Sequence, residues 1–219
     1  MATGELWEAS ASADYAKIAV DRLTFFSDAV VAIAMTLLAI DLAVPETSTR
    51  PDFVAFVQGH LGSYLAFLIS FVVIASVWRN HHRVFRYITD APPALVGVTL
   101  LWLFTIVLVP FATRLLYAGD STSASSDFPF RFGIYALVMV ASSSAFVCSE
   151  VIVQRAGIVA EEAPTDLFDS GMTRSAVLIT TFLLSIPLCF LVGVYAFILW
   201  GALPITTRVG IAIQHRRRR

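Results

Sequence analysis

The chain has 219 residues, 58% of them hydrophobic and only 14% charged, with a mean hydropathy of +0.78. A soluble domain of this size does not carry so apolar a composition, so the sequence reads as an integral membrane protein. The formal net charge of −1 says little by itself, but arginine is concentrated near particular segment ends, and that distribution carries topological information.

In chain order, the first twenty residues mix Glu5, Glu8, Asp14 and Lys17 with small polar residues. They lack the basic n-region and compact apolar h-region of a cleaved signal, so insertion falls to the first span. A crossing of roughly 30 Å at 1.5 Å per residue predicts spans at 23–44, 53–78, 94–117 and 130–153. The apolar stretch from Arg174 to Arg208 is longer than one span needs and contains Pro187 and Gly193. Both residues weaken helix continuity, which predicts two shorter helices over 173–188 and 190–207. The expectation is an all-α membrane protein with six spans in a single module over 1–219. Cys148 and Cys189 fall inside apolar stretches and read as small hydrophobic residues, not as a disulfide framework.

Six spans put both termini on one side, together with Lys17, Arg22, Arg79, Arg83, Arg86, Arg155, Arg174, Arg208 and the tail arginines. Arg50, Arg114 and Arg131 fall on or near the other side. The positive-inside rule then makes both termini cytosolic. The connections at 45–52, 118–129 and 156–169 are short and polar, and no internal repeat is visible.

The first span opens on Arg22-Leu-Thr-Phe-Phe26-Ser27-Asp28 and continues without charge from Ala29 to Ile40. Ionisable groups at the mouth of such a run are functional candidates. The second span ends in Trp78-Arg79-Asn80-His81-His82-Arg83. An R-x-x-x-F-S-D motif leading into an apolar helix, with tryptophan and histidine closing the next one, resembles the transmembrane protein 175 family of endosomal and lysosomal potassium channels and their prokaryotic relatives. The resemblance is specific over residues 22–44, fair over 58–87 and compositional beyond. With one motif per chain it matches the prokaryotic single-module form, and it implies a homotetramer in a prokaryotic plasma membrane with the first helices lining a central pore.

On a helical wheel stepping 100° per residue, with Ile33 at zero, Ile40 falls at about −20°, Leu37 at about +40° and Thr36 at about −60°. Ser27 and Asp28 fall at about 120° and 220°, away from this stripe, while Arg22 and Phe26 lie close to it. The resemblance makes Ile33 the main pore constriction, with Leu37 and Ile40 continuing it and Thr36 beside it. A narrow apolar ring gates by dewetting. Ordinary helix packing is the alternative explanation of an Ile/Leu stripe.

A carboxylate near hydrocarbon requires partners. The end of the second span offers them, and the resemblance makes Arg22, Phe26, Ser27, Asp28, Trp78, Asn80 and His81 a signature and assembly network that fixes the pore helix. Adjacent histidines point about 100° apart, a poor geometry for one metal ion, so neither a metal site nor a cofactor is expected. Asp41, about 20 Å from Asp28 along the axis, is expected at the outer mouth, where a ring of acids would concentrate cations; a loop-contacting role stays equally open. Arg114 and Glu150 lie near enough to span ends to snorkel, and the tail from His215 is too short for nucleic acid.

No T-V-G-Y-G filter occurs. The function implied is a leak-type, potassium-permeable channel whose partners are the bilayer, potassium ions and three further copies of the chain. A secondary transporter or a proton-conducting protein is the alternative, although no charge accompanies the Pro187–Gly193 break that a transporter site would use.

Overall fold

A computed structural model of the chain describes residues 2–40, 42–46, 49–117 and 127–217. The described residues form α1 (Ala2–Ile40), α2 (Arg50–Gly59), α3 (Leu61–Phe85), α4 (Pro93–Leu116), α5 (Phe128–Ala156) and α6 (Leu167–Val192). A 3₁₀ turn (Gly193–Ala196), α7 (Phe197–Gly201) and α8 (Leu203–Arg217) follow. Among the described residues, five stretches are long and apolar enough to cross a membrane: Asp14–Ile40 within α1, and α3, α4, α5 and α6. Among the described residues the secondary structure is helical, apart from one isolated antiparallel bridge between Ile88 and Val159.

The local sequence explains where these helices start and stop. Pro51, Pro93 and Pro129 occupy the first turns of α2, α4 and α5, where a missing N–H costs nothing and the fixed φ suits the helix. Thr49 caps α2, its hydroxyl oxygen accepting from the Asp52 N–H at 3.4 Å. Gly157, at φ 65°, ends α5 in the left-handed conformation, an ordinary glycine stop.

Several span boundaries differ from those expected. The first span, expected over 23–44, lies in a helix that runs from Ala2 to Ile40, with its membrane-length stretch beginning at Asp14. The second span begins at Leu61 and runs to Phe85, not over 53–78, because α2 ends at Gly59 and His60 leaves helical geometry at ψ 9°. The His60 imidazole hydrogen-bonds the Phe56 carbonyl at 2.9 Å, offering the backbone an alternative to helical continuation. The break placed near Pro187 lies instead at Gly193: α6 runs through Pro187 to Val192. Gly193 then takes φ 59°, ψ −132°, a conformation that only glycine adopts without strain. Proline loses one intrahelical bond, which a packed membrane helix tolerates; the glycine turns the chain.

After that turn the chain runs back along α6. Trp200 donates its indole N–H to Ser185 Oγ at 3.1 Å, and Gly210 packs against Val177 and Thr173. The centre of the molecule lies among α4, α5 and α6, where Trp102, Phe132, Tyr135, Phe146 and Phe182 are all fully buried. Trp200 stacks on Phe132 with ring centroids 4.3 Å apart and on Tyr135 at 4.8 Å. Ser70 of α3 bonds Thr113 of α4 at 2.8 Å and Tyr135 of α5 at 3.0 Å, a hydroxyl cluster that pins three helices together where lipid tails give apolar side chains no preference for one another. At one end of the bundle the α3–α4 and α5–α6 connections are tied, Ala160 N–H to the Tyr87 carbonyl at 2.8 Å and Thr89 N–H to the Ile158 carbonyl at 3.1 Å. This end gathers Arg79, Arg83, Arg86, Arg155 and Arg174.

Candidate pore helix and its anchoring contact

α1 packs against α3 and α4 along one face only. Val20, Leu23, Ser27, Val31, Ala34 and Leu38 are buried, at the three- and four-residue spacing of a helix face. On the other side Ile33 is 58% exposed, Leu37 40% and Ile40 76%, and Thr36 is exposed beside them. The Thr36 hydroxyl donates to the Ile33 carbonyl at 2.8 Å. Arg22 is exposed, as is Phe26, so both lie on the uncovered side with the Ile33 stripe. Asp41 lies outside the described residues.

The motif residues divide between the two faces. Ser27 is completely buried, and its hydroxyl donates to the Leu23 carbonyl of its own helix at 2.8 Å, so its small size lets α1 lie close to its neighbours while its donor is satisfied internally. Asp28 is half-buried and accepts from the Trp78 indole N–H of α3 at 2.8 Å. A hydrogen bond to a charged acceptor is worth roughly 1.5–3 kcal/mol, and breaking one half of it leaves a desolvated group unsatisfied.

His81 and Asn80 do not join this contact. The His81 ring is 1% exposed and lies flat against Trp102, centroids 4.5 Å apart and planes within 5°, and against Phe85 at 3.9 Å. Neither ring nitrogen has a hydrogen-bond partner among the described residues. Three residues after Trp78, His81 is rotated by about −60° on the helix, and that rotation turns it from α1 to α4. Asn80, about 200° from Trp78, is buried on the far side of α3, lining a cavity shared with α6 and α8. Among the described residues, the second-span cluster therefore reaches the motif aspartate through Trp78, with His82 beside that indole at a ring separation of 5.6 Å.

Glu150 departs furthest from the sequence reading. It does not snorkel: it is fully buried on α5, and its carboxylate oxygens have no hydrogen-bond partner among the described residues. Its side chain fills the space that a Cβ on Gly171 of α6 would occupy. The signal available in the sequence was the small residues Ser170, Gly171 and Ser175 of α6 and Ser149 beside it on α5, all buried, which let α5 and α6 lie close.

Residues 22–110 match the family described as endosomal/lysosomal potassium channel TMEM175. A protein of Streptomyces collinus named a potassium channel is 37% identical over 125 residues, covering 57% of this chain and 60% of its own. One of Chamaesiphon minutus, also named a potassium channel, is 41% identical over 98 residues, 43% of this chain and 48% of its own. The rat endosomal/lysosomal proton channel TMEM175 is 24% identical over 124 residues, 56% of this chain and 24% of its own. These alignments span about half to two thirds of the prokaryotic relatives' length. The fold is shared with the crystal structure of a lysosomal potassium-selective channel TMEM175 homologue from Chamaesiphon minutus, at TM-score 0.68 and 24% identity over 90% of this chain and 98% of that one. It is also shared with a variant of the potassium channel MtTMEM175 bound to a nanobody fusion, at TM-score 0.57 and 18% identity over 90% and 92%. Residues 22–110 are thus similar to the TMEM175 family, and the chain as a whole shares its fold with these two solved structures.

Proposed function

We propose that this chain is the subunit of a leak-type, potassium-permeable cation channel in which four copies surround a pore lined by α1. The observation that carries the reading is the two-sidedness of α1. Its buried face is fully used by α3 and α4, while Ile33, Thr36, Leu37 and Ile40 form an apolar stripe that the rest of the chain leaves uncovered. One chain supplies one such stripe, and a closed ring of copies is the symmetric way to enclose a conduit with it. In this reading Ile33 is the narrowest point and Leu37 and Ile40 extend the constriction. Thr36 offers a hydroxyl next to it. An apolar ring admits ions only when wetted, which suits a small leak conductance. Asp28 and Trp78 hold α1 against α3, fixing the direction in which the stripe faces, while Arg22, Phe26 and Ser27 complete the signature on the two faces of the same helix.

The antiparallel return of α7 and α8 along α6 supports a sixth crossing made of two helical pieces around Ala202. Six crossings in a single module place both termini with the arginine-rich end, and the positive-inside rule assigns that end to the cytosol of a prokaryotic cell. The relatives named proton channels favour a second reading in which protons also permeate. The test is reconstitution into K⁺-loaded liposomes: the reading predicts K⁺ efflux at a rate above protein-free vesicles, greater than the Na⁺ flux under the reversed gradient. Proton flux with no K⁺ flux would leave the second reading standing and remove the first.

A further inference from the structure

We propose that the crevice bounded by α3, α6 and α8 at the arginine-rich end is a binding site for one anionic phospholipid, its phosphate held by Arg79 and Arg174 and an acyl chain lying in the apolar recess behind them. Two cavities meet there. One, of about 470 Å³, opens beside the α5–α6 connection and is lined by Arg79, Arg83, Arg86 and Arg174 together with Trp78 and Tyr87. The other, of about 460 Å³, extends along the bundle between Leu68, Val72 and Val73 of α3, Leu178 of α6, and Leu203 and Ile211 of α8. Arg79 and Arg174 line both, so a single molecule passing between these arginines would meet a cationic chamber at one end and a hydrocarbon one at the other. That polarity is the polarity of a membrane lipid.

Charge decides which lipid. Arg79 and Arg83 lie close enough to Arg174 to repel it, Arg208 lines the apolar recess near its cationic end, and no acidic residue lines either cavity among the described residues. The acid beside them is Asp166, which pairs with Arg83 at 3.9 Å. The Arg174 Nε is buried with no hydrogen-bond partner among the described residues. A half-buried guanidinium flanked by Arg79 and Arg83 as well as Asp166 is further stabilised by a phosphate, which takes two parallel N–H bonds from it. Basic pockets between membrane helices bind anionic head groups on this basis. A zwitterionic head group would bring its own cation into the cluster. Free phosphate would satisfy the arginines but leave the apolar recess without an occupant.

Native mass spectrometry of the purified full chain in detergent, titrated with phosphatidylglycerol or phosphatidylcholine, tests the proposal. Phosphatidylglycerol is expected to bind at one per chain and at least tenfold more tightly than phosphatidylcholine. Arg79→Gln with Arg174→Gln should weaken it at least tenfold, and Arg155→Gln, an exposed arginine outside both cavities, should leave it unchanged. Val72→Trp, which fills the apolar recess and leaves every charge in place, should also weaken it severalfold, and this arm stands even if the double arginine variant fails to fold. Equal affinity for the two lipids, equal loss in Arg155→Gln, normal binding to Val72→Trp, or displacement of phosphatidylglycerol by an equal concentration of inorganic phosphate would each overturn the assignment.

Discussion

Asp28 and Trp78 form a side-chain bond of the motif that crosses from α1 to α3, at 2.8 Å, and its energetic consequences are specific. Asp28→Ala should leave the indole N–H without an acceptor at a half-buried position and cost about 1–3 kcal/mol, seen as a lower melting temperature in detergent and a lower yield of assembled protein. Trp78→Phe should cost a similar amount, and the double variant should cost less than the sum, because the two substitutions remove the same bond. Normal assembly of Asp28→Ala with altered ion selectivity would instead place the carboxylate in the permeation path. At Glu150 the expectation is steric. Gly171→Ala should destabilise the fold by roughly 1–3 kcal/mol through overpacking against the carboxyl group, and Glu150→Ala in the same chain should recover most of the loss in a thermal melt. Equal losses in both backgrounds would mean that the Gly171 contact is not with Glu150. The division of the motif between two faces was legible in the sequence, since 100° per residue separates Ser27 and Asp28 from Ile33 without any structure. The isolation of His81 was not, because spacing along α3 does not reveal that α4 lies within reach of the same turn. Nor was the burial of Glu150, whose position near a span end equally suits a side chain reaching water.

Among the elements, the uncharged core of α1 was readable but its limits were not, since the helix runs from Ala2 to Ile40 and not over 23–44; likewise 53–78 was equally apolar on both sides of His60 and hid the boundary between α2 and α3. The turn after α6 illustrates competing local effects. Pro187 carries the stronger helix-breaking reputation, yet neighbouring helices can satisfy the carbonyl it frees, and α6 continues through it to Val192. Gly193 has no such substitute, since its φ of 59° and ψ of −132° exclude a Cβ. Gly193→Ala should therefore cost about 1–3 kcal/mol through backbone strain, while Pro187→Ala should be near neutral or mildly stabilising, both measured by thermal unfolding in detergent. A reversed order would mean that the proline and not the glycine sets the turn. The same turn sends α7 and α8 back along α6, and so helps to shape the recess proposed for lipid.

For the molecule as a whole, the all-helical class followed from composition, and the family resemblance from a dozen residues. The assembly is the part of the account that a single chain leaves to experiment, because a stripe exposed on one subunit meets either lipid or another copy. The measurement that separates these is cation flux through liposomes reconstituted with the wild type, Ile33→Asn and Leu38→Asn, each checked by cross-linking for assembly. Ile33 and Leu38 lie about 140° apart on α1; the first is 58% exposed and the second 5%. If four α1 helices enclose the pore on the Ile33 side, cross-linking stops at tetramer and Ile33→Asn raises cation flux severalfold while eroding K⁺ over Na⁺ preference, because the amide replaces part of an ion's hydration. Leu38→Asn then lowers stability and protein yield without raising flux per assembled channel. Flux raised equally by Leu38→Asn, or selectivity unchanged in a tetrameric Ile33→Asn, would show that the pore is lined by another face.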